Sequence, residues 1–264
     1  MSDHFLSSGS NVLDGLCNGI ERDAITTIYG PAGSGKTNFC ILAAVDFVNA
    51  GKKVIYVDTD GSFSVDRLRQ IAEASSKSAR DVLEHMVFYK PVNFDEQKLV
   101  FDKLKSAITE KIGLIIVDSI AMLYRLEIGK SSDDVYSINK ELGKQLSFLS
   151  EIARKKNIPI LLTNQVYSSF EEKDKVNMVG GDILRYSSKC LIELKLFKTL
   201  RKALLVRHRS LPMNKEVLFK ITQSGAEIFS DEKTVSDDSS GRLNQDKFSN
   251  NDEELESIEF EDAS

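Results

Sequence analysis

Residues Gly30, Pro31, Ala32, Gly33, Ser34, Gly35, Lys36 and Thr37 occur in an order suited to gripping phosphate. They fit G-x-x-x-x-G-K-[ST] at every fixed position. Glycines let a backbone wrap so that successive N–H groups converge on one point, and a helix opening at the loop adds its positive end. Lys36 is suited to reach the β- and γ-phosphates of a nucleoside triphosphate, and the Thr37 hydroxyl to ligate Mg²⁺. A second anchor lies in Leu114-Ile115-Ile116-Val117-Asp118-Ser119, where four apolar residues end in an acid. Such a strand holds Asp118 at its C-terminal end, on the phosphate-loop side, where it can orient Mg²⁺ through a bound water. Hydrolysis also requires a base or a water-positioning group, and Asp60 in Val57-Asp58-Thr59-Asp60-Gly61-Ser62 is the best candidate. Gln165, closing Leu161-Leu162-Thr163-Asn164-Gln165, either senses the γ-phosphate or is a polar terminus to a core strand.

These residues need a scaffold of alternating strands and helices. Apolar runs at 24–29, 53–58, 86–89, 114–118 and 159–165 read as strands, several continuous enough to be covered on both faces. Helical patterns fall between them, near 36–50, 64–76, 94–110 and 135–156. In the last of these, Ile138, Leu142, Leu146, Leu149 and Ala153 recur at helical spacing, a stripe that belongs in a core. Asn93 followed three residues later by Glu96 is a capping box. After Gln165 a polar loop over 167–179 precedes strand-like runs at 190–197, 203–209 and 216–222. The expected class is α/β: a mostly parallel twisted sheet with helices on both faces and antiparallel strands at its C-terminal end.

Composition narrows the setting. No segment resembles a signal peptide or approaches the length of a membrane span. Cys17, Cys40 and Cys190 share no metal or redox spacing and read as buried free thiols, consistent with a reduced, cytoplasmic compartment. The net charge of −5 conceals a segregation, since residues 231–264 hold twelve acids against three bases. The other 230 residues hold 32 basic and 28 acidic groups, a net of +4, so the core is compatible with a polyanionic partner. The division expected is a core over 1–230 and a disordered acidic tail over 231–264, whose composition cannot offset the entropy of ordering.

Together the motifs carry a family resemblance. Ser8-Gly9-Ser10-Asn11-Val12-Leu13-Asp14-Gly15-Leu16 and Gly19-Ile20 precede the phosphate loop; Val65-Asp66-Arg67-Leu68 follows Asp60. Leu123-Tyr124-Arg125 follows Asp118, and Thr163-Asn164-Gln165-Val166 and Gly180-Gly181-Asp182 come later. Over about residues 7–229 the chain resembles the ATPase core of the RecA/RadA recombinase family, and Arg207-His208-Arg209-Ser210-Leu211-Pro212 points to an archaeal paralogue within it. The resemblance implies a RecA-like fold, ATP as the nucleotide, and a nucleotide site at a subunit interface. It makes Arg207 and Arg209 candidates to reach a neighbour's γ-phosphate, a task that suits a permanently charged, forked donor. On a strand over 203–209 the two would share one face. It also implies two DNA-facing loops, near 127–134 and 167–179. The second nets −1, although Tyr167 and Phe170 could stack bases for about 1–3 kcal/mol each. Binding to single-stranded DNA should therefore be modest and salt-sensitive.

Three departures separate the chain from a strand-exchange enzyme. Only about twenty residues precede the first core strand, leaving no room for the family's N-terminal helix-hairpin-helix domain or the linker carrying its aromatic polymerisation plug. Long filaments are thus not expected, although an interface site implies at least transient homodimers. Asp60 stands where the family carries a catalytic glutamate, and one lost methylene sets a carboxylate roughly 1.5 Å back. A misplacement of about 1 Å can cost about 100-fold in rate. The acidic tail, with Leu255, Ile258 and Phe260 among acids, is a docking segment, a polyanion decoy or a solubilising terminus. The reading expected is an accessory of homologous recombination and DNA repair that assists a main recombinase of the RadA type. A true DNA-dependent strand-exchange ATPase and a KaiC-like signalling ATPase remain alternatives.

Overall fold

The structure, a computed structural model, describes residues 4–130, 134–168 and 176–230. Near the N-terminus β1 (Phe5–Leu6), α1 (Asn11–Cys17) and β2 (Ile20–Glu21) form a small antiparallel unit. The main sheet starts with β3 (Ile25–Gly30), then α2 (Lys36–Asn49), β4 (Lys53–Asp58), α3 (Val65–Ala74), α4 (Ala79–Glu84) and β5 (Met86–Tyr89). Next come α5 (Phe94–Ala107), β6 (Ile112–Asp118), α6 (Met122–Lys130), α7 (Val135–Lys156), β7 (Ile160–Ser168), β8 (Val176–Met178) and α8 (Gly181–Ser187). The chain closes with β9 (Cys190–Phe197), β10 (Leu200–Arg207), β11 (Glu216–Thr222) and β12 (Gly225–Ile228).

The strand order is β12-β11-β10-β9-β3-β7-β6-β4-β5. Pairing is parallel from β9 across to β5 and antiparallel from β9 out to β12. Helices on both faces bury two apolar layers, which is why Val54–Val57 of β4 and Leu114–Val117 of β6 read as continuous apolar runs rather than alternating ones. The α7 stripe is buried as expected, with Leu142 and Leu149 fully inaccessible. The Asn93 cap forms: its Oδ1 accepts the Glu96 N–H at 2.8 Å, and the Glu96 carboxylate returns to the Val92 N–H at 3.0 Å.

Several boundaries differ from expectation. Residues 127–130, expected in a loop, complete α6, and 131–133 lie outside the described residues. The polar 167–179 segment begins and ends as a β7–β8 ladder in which Val166, Tyr167 and Ser168 oppose Met178, Asn177 and Val176. Residues 169–175, with Phe170, lie outside the described residues, as does the acidic 231–264 stretch. The strand expected over 203–209 runs instead from Leu200 to Arg207, with a register shift after Leu205. Arg209 lies beyond it, so the expected shared face of Arg207 and Arg209 is lost.

Sheet direction decides what can meet. The C-terminal ends of β3, β7, β6 and β4 lie along one edge, with Gly30 opposite Gln165 and Asp58 opposite Asp118. Because β10 runs antiparallel to β9, it enters at that edge at Leu200 and leaves at the opposite edge at Arg207.

Candidate nucleotide-binding site

β3 is buried along its whole length and delivers Gly30 to the loop. A side chain at Gly30 would approach the Leu194 carbonyl oxygen to 2.3 Å, so the loop's first position lies too close to β9 for any other residue. Gly35 has φ +102, and a Cβ there would meet Ile221 at 2.9 Å. That left-handed turn is what swings the chain into α2 and leaves its first N–H groups facing outward. Lys36 is buried, and its Nζ donates to the carbonyl oxygens of Gly30 (2.9 Å) and Pro31 (2.8 Å). Burial draws its pKa below the usual lysine range, against the opposing pull of Asp118 and Asp60. Ser34 Oγ is buried within the loop without a hydrogen-bond partner. Ala32, Gly33, Lys36, Thr37, Asp60 and Gln165 all line a cleft of about 460 Å³.

Asp118 is buried and approached from both flanking strands. Tyr56 on β4 donates its hydroxyl at 2.9 Å, Thr163 on β7 donates to the other carboxylate oxygen, and Ser62 donates at 3.4 Å. Thr37 Oγ1 lies 2.9 Å from Ser62 Oγ, which links the loop to this network. Asp58, also buried, accepts the N–H groups of Ser62 (3.2 Å) and Phe63 (3.4 Å), shaping the turn after β4. Burial, then the Asp118 charge, raises the Asp58 pKa.

Hydroxyl and carboxylate oxygens are the donors a hard Mg²⁺ prefers, and such a site needs only one or two protein groups when phosphates complete it. The residues therefore fit a Mg²⁺-nucleotide. Thr37 would be the direct protein ligand, and Asp118, its oxygens already engaged, would orient water.

Asp60 and Gln165 meet across the cleft. The Gln165 amide donates to both Asp60 carboxylate oxygens, at 3.2 and 3.3 Å. Arg207 and Arg209 do not join them. Arg207 donates to the Arg185 carbonyl at 2.8 Å. Arg209 bridges Glu21 (2.9 Å), Asp23 and His4, and those carboxylates raise its pKa.

Sequence reasoning gave no site role to Tyr56, Ser62, Thr163, Arg67 or Arg201. Arg67 ties α3 to the β11–β12 turn, donating to Asn38 Oδ1 (2.6 Å), Thr222 O (2.8 Å) and Gly225 O (3.0 Å). Arg201 donates to the carbonyl of Gly33 at 3.2 Å, so β10 touches the loop at its entry end. For Arg201 the available signal was a polar residue at the start of a strand, though pairing order is needed to know that this end adjoins the loop.

Residues 4–228 match the Rad51 family. A DNA repair and recombination protein RadB of Methanococcus maripaludis strain C7 is 42% identical over 218 residues, 82% of this chain and 98% of that protein. One from Methanocaldococcus jannaschii is 39% identical over 213 residues, 81% of this chain and 97% of its own. A crystal structure of the RadB recombinase superposes with a TM-score of 0.73 at 36% identity, covering 86% of this chain and all of that one.

Proposed function

The chain belongs to the Rad51 family, and from that premise we propose that it binds ATP with Mg²⁺, hydrolyses it slowly and assists a RadA-type recombinase in DNA repair. The loop from Gly30 to Thr37 would hold the triphosphate, with Lys36 exchanging its two backbone carbonyls for phosphate oxygens. Bound Mg²⁺ supplies neutralisation of charge on the β- and γ-phosphates. Asp118 would fix the water around it, and Asp60 would serve as the base.

The observation that carries this reading is the Asp60–Gln165 pair beside a fully assembled phosphate loop. The shorter acid is already engaged by the group assigned to sense the γ-phosphate. A base so held is set back from attacking water unless Gln165 moves, which favours slow turnover over none. The experiment is ATP turnover by the full chain with and without single-stranded DNA, alongside direct measurement of ATP binding. Tight binding with slow, weakly stimulated turnover is the expected result. Fast, DNA-stimulated turnover that disappears in Lys36→Ala would overturn it in favour of a strand-exchange recombinase.

Arg207 is assigned a role in trans. It leaves the sheet at the edge opposite the loop, so it can meet only another molecule's phosphates. Head-to-tail contact between copies, or with a related recombinase, would bring it there, and Arg209 could follow only by releasing Glu21 and Asp23. No helix among the described residues is long and apolar enough to cross a membrane. The proposed setting is the cytoplasm, with single-stranded DNA bound modestly and with strong salt dependence.

A further inference from the structure

Ser62 touches both groups assigned to the metal: its Oγ lies 2.9 Å from Thr37 Oγ1 and 3.4 Å from Asp118 Oδ2. Its position is not incidental. The Asp58 carboxylate holds the backbone N–H of Ser62 at 3.2 Å, and the next residue, Phe63, packs its ring against Tyr56 (5.0 Å) and Phe88 (4.7 Å). The turn is thus pinned from the strand side and from the aromatic side, with the Ser62 hydroxyl facing the loop.

The direction of these hydrogen bonds follows from proton counting. A carboxylate only accepts, so the single Ser62 hydroxyl proton goes to Asp118. Ser62 Oγ then has only lone pairs left for Thr37, and Thr37 must be the donor between them. A threonine that ligates a cation has to point lone pairs at the metal and its proton elsewhere. The Thr37→Ser62→Asp118 chain imposes that orientation before any ligand arrives. A free rotor would have to find it at the moment of binding, at a cost in entropy.

We infer that Ser62 is a positioning residue which sets the Thr37 hydroxyl for Mg²⁺, acting through Thr37 rather than by touching the nucleotide. This rests on the Mg²⁺-nucleotide reading of the cleft. Tyr56 and Thr163 keep Asp118 oriented without Ser62, so removing the serine hydroxyl isolates its effect on Thr37.

The test titrates Mg²⁺ into the full chain with a fluorescent ATP analogue, comparing wild type, Ser62→Ala and Ser62→Thr, with affinity in EDTA as the second readout. Groups orienting a metal ligand typically contribute about 10–100-fold to metal affinity. Ser62→Ala should therefore raise the Mg²⁺ midpoint about tenfold and leave affinity in EDTA within about twofold, and Ser62→Thr should restore the midpoint. In a Thr37→Ala background the same Ser62→Ala change should cost nothing further, because its effect passes through Thr37. The inference is overturned by an unchanged Mg²⁺ midpoint, by an equal loss with and without Mg²⁺, or by a full tenfold loss persisting in the Thr37→Ala background. A wild-type chain whose nucleotide binding ignores Mg²⁺ would remove the cleft reading itself, and this inference with it.

Discussion

The two edges of the central sheet both gather charged side chains but hold them differently. At the C-terminal ends of β3, β7, β6 and β4, Lys36, Thr37, Ser62, Asp118, Asp60 and Gln165 bond to one another or to the loop's own carbonyls. At the far edge, Arg207 leans on one neutral carbonyl, and Arg209 is locked to Glu21 and Asp23. The first edge is a side-chain network assembled within one chain, and on the proposed function it would be half of a reaction centre. The second offers charges that must leave an internal partner before they serve an external one. Their costs differ: the exposed bond of the Arg207 guanidinium to its one carbonyl partner can be replaced by water, whereas stripping Arg209 leaves a buried Glu21 carboxylate uncompensated. For the proposed role in trans, Arg207 would be the arginine released more readily, while Arg209 is held in place by Glu21 and Asp23.

Breaking the loop edge should have the largest effect. Charge-assisted hydrogen bonds are each worth about 1.5–3 kcal/mol, so Lys36→Ala should weaken ATP binding about 100-fold by calorimetry while leaving the fold intact. Next comes the structural arginine. With partial exposure discounting the buried-pair cost, Arg209→Ala should remove about 2 kcal/mol and lower Tm by about 4–8 °C, with ATP affinity unchanged. A stable Arg209→Ala chain that instead lost turnover would reverse the division between the two arginines. Arg207→Ala should leave Tm and ATP affinity alone yet reduce turnover about tenfold or more, a modest share of what a trans arginine can supply. Loss of ATP binding in dilute Arg207→Ala would refute a role confined to a second molecule.

The smallest effect is a pH dependence at the far edge. His208 is buried, accepts the N–H groups of Ser210 (3.1 Å) and Leu211 (3.2 Å) on Nδ1, and faces Glu21, Arg209 and the Phe5 ring. Burial pulls its pKa below the usual histidine range. The unfolded chain therefore binds the proton more readily, so stability is full above about pH 6.5 and declines as pH falls through the folded pKa. Between about pH 7.5 and 5.5 the loss should stay under about 1 kcal/mol, and His208→Asn should flatten that part of the Tm profile. A profile unchanged by the substitution would place the titrating group elsewhere.

Legibility along the chain followed how local the physics was. The Asn93–Glu96 cap and the α7 stripe were readable because their partners lie within a few residues, where helical geometry brings them together. The end of β10 was misplaced because 203–209 looks uniformly strand-like, and the register shift after Leu205 depends on pairing with β9. α6 was missed for a related reason: its apolar residues form no clear stripe, and Leu123 and Tyr124 are buried by neighbouring elements rather than by their own periodicity.

By itself the sequence determined the phosphate loop, the Asp118 strand and the α/β class, because glycine's backbone freedom, strand hydrophobicity and helical spacing act over short stretches of chain. The tertiary structure alone decided that Gln165 meets Asp60, that Ser62 stands between Thr37 and Asp118, and that Arg207 and Arg209 part company. Each of these depends on strand order and direction, which bring together side chains from 25 to 188 residues apart.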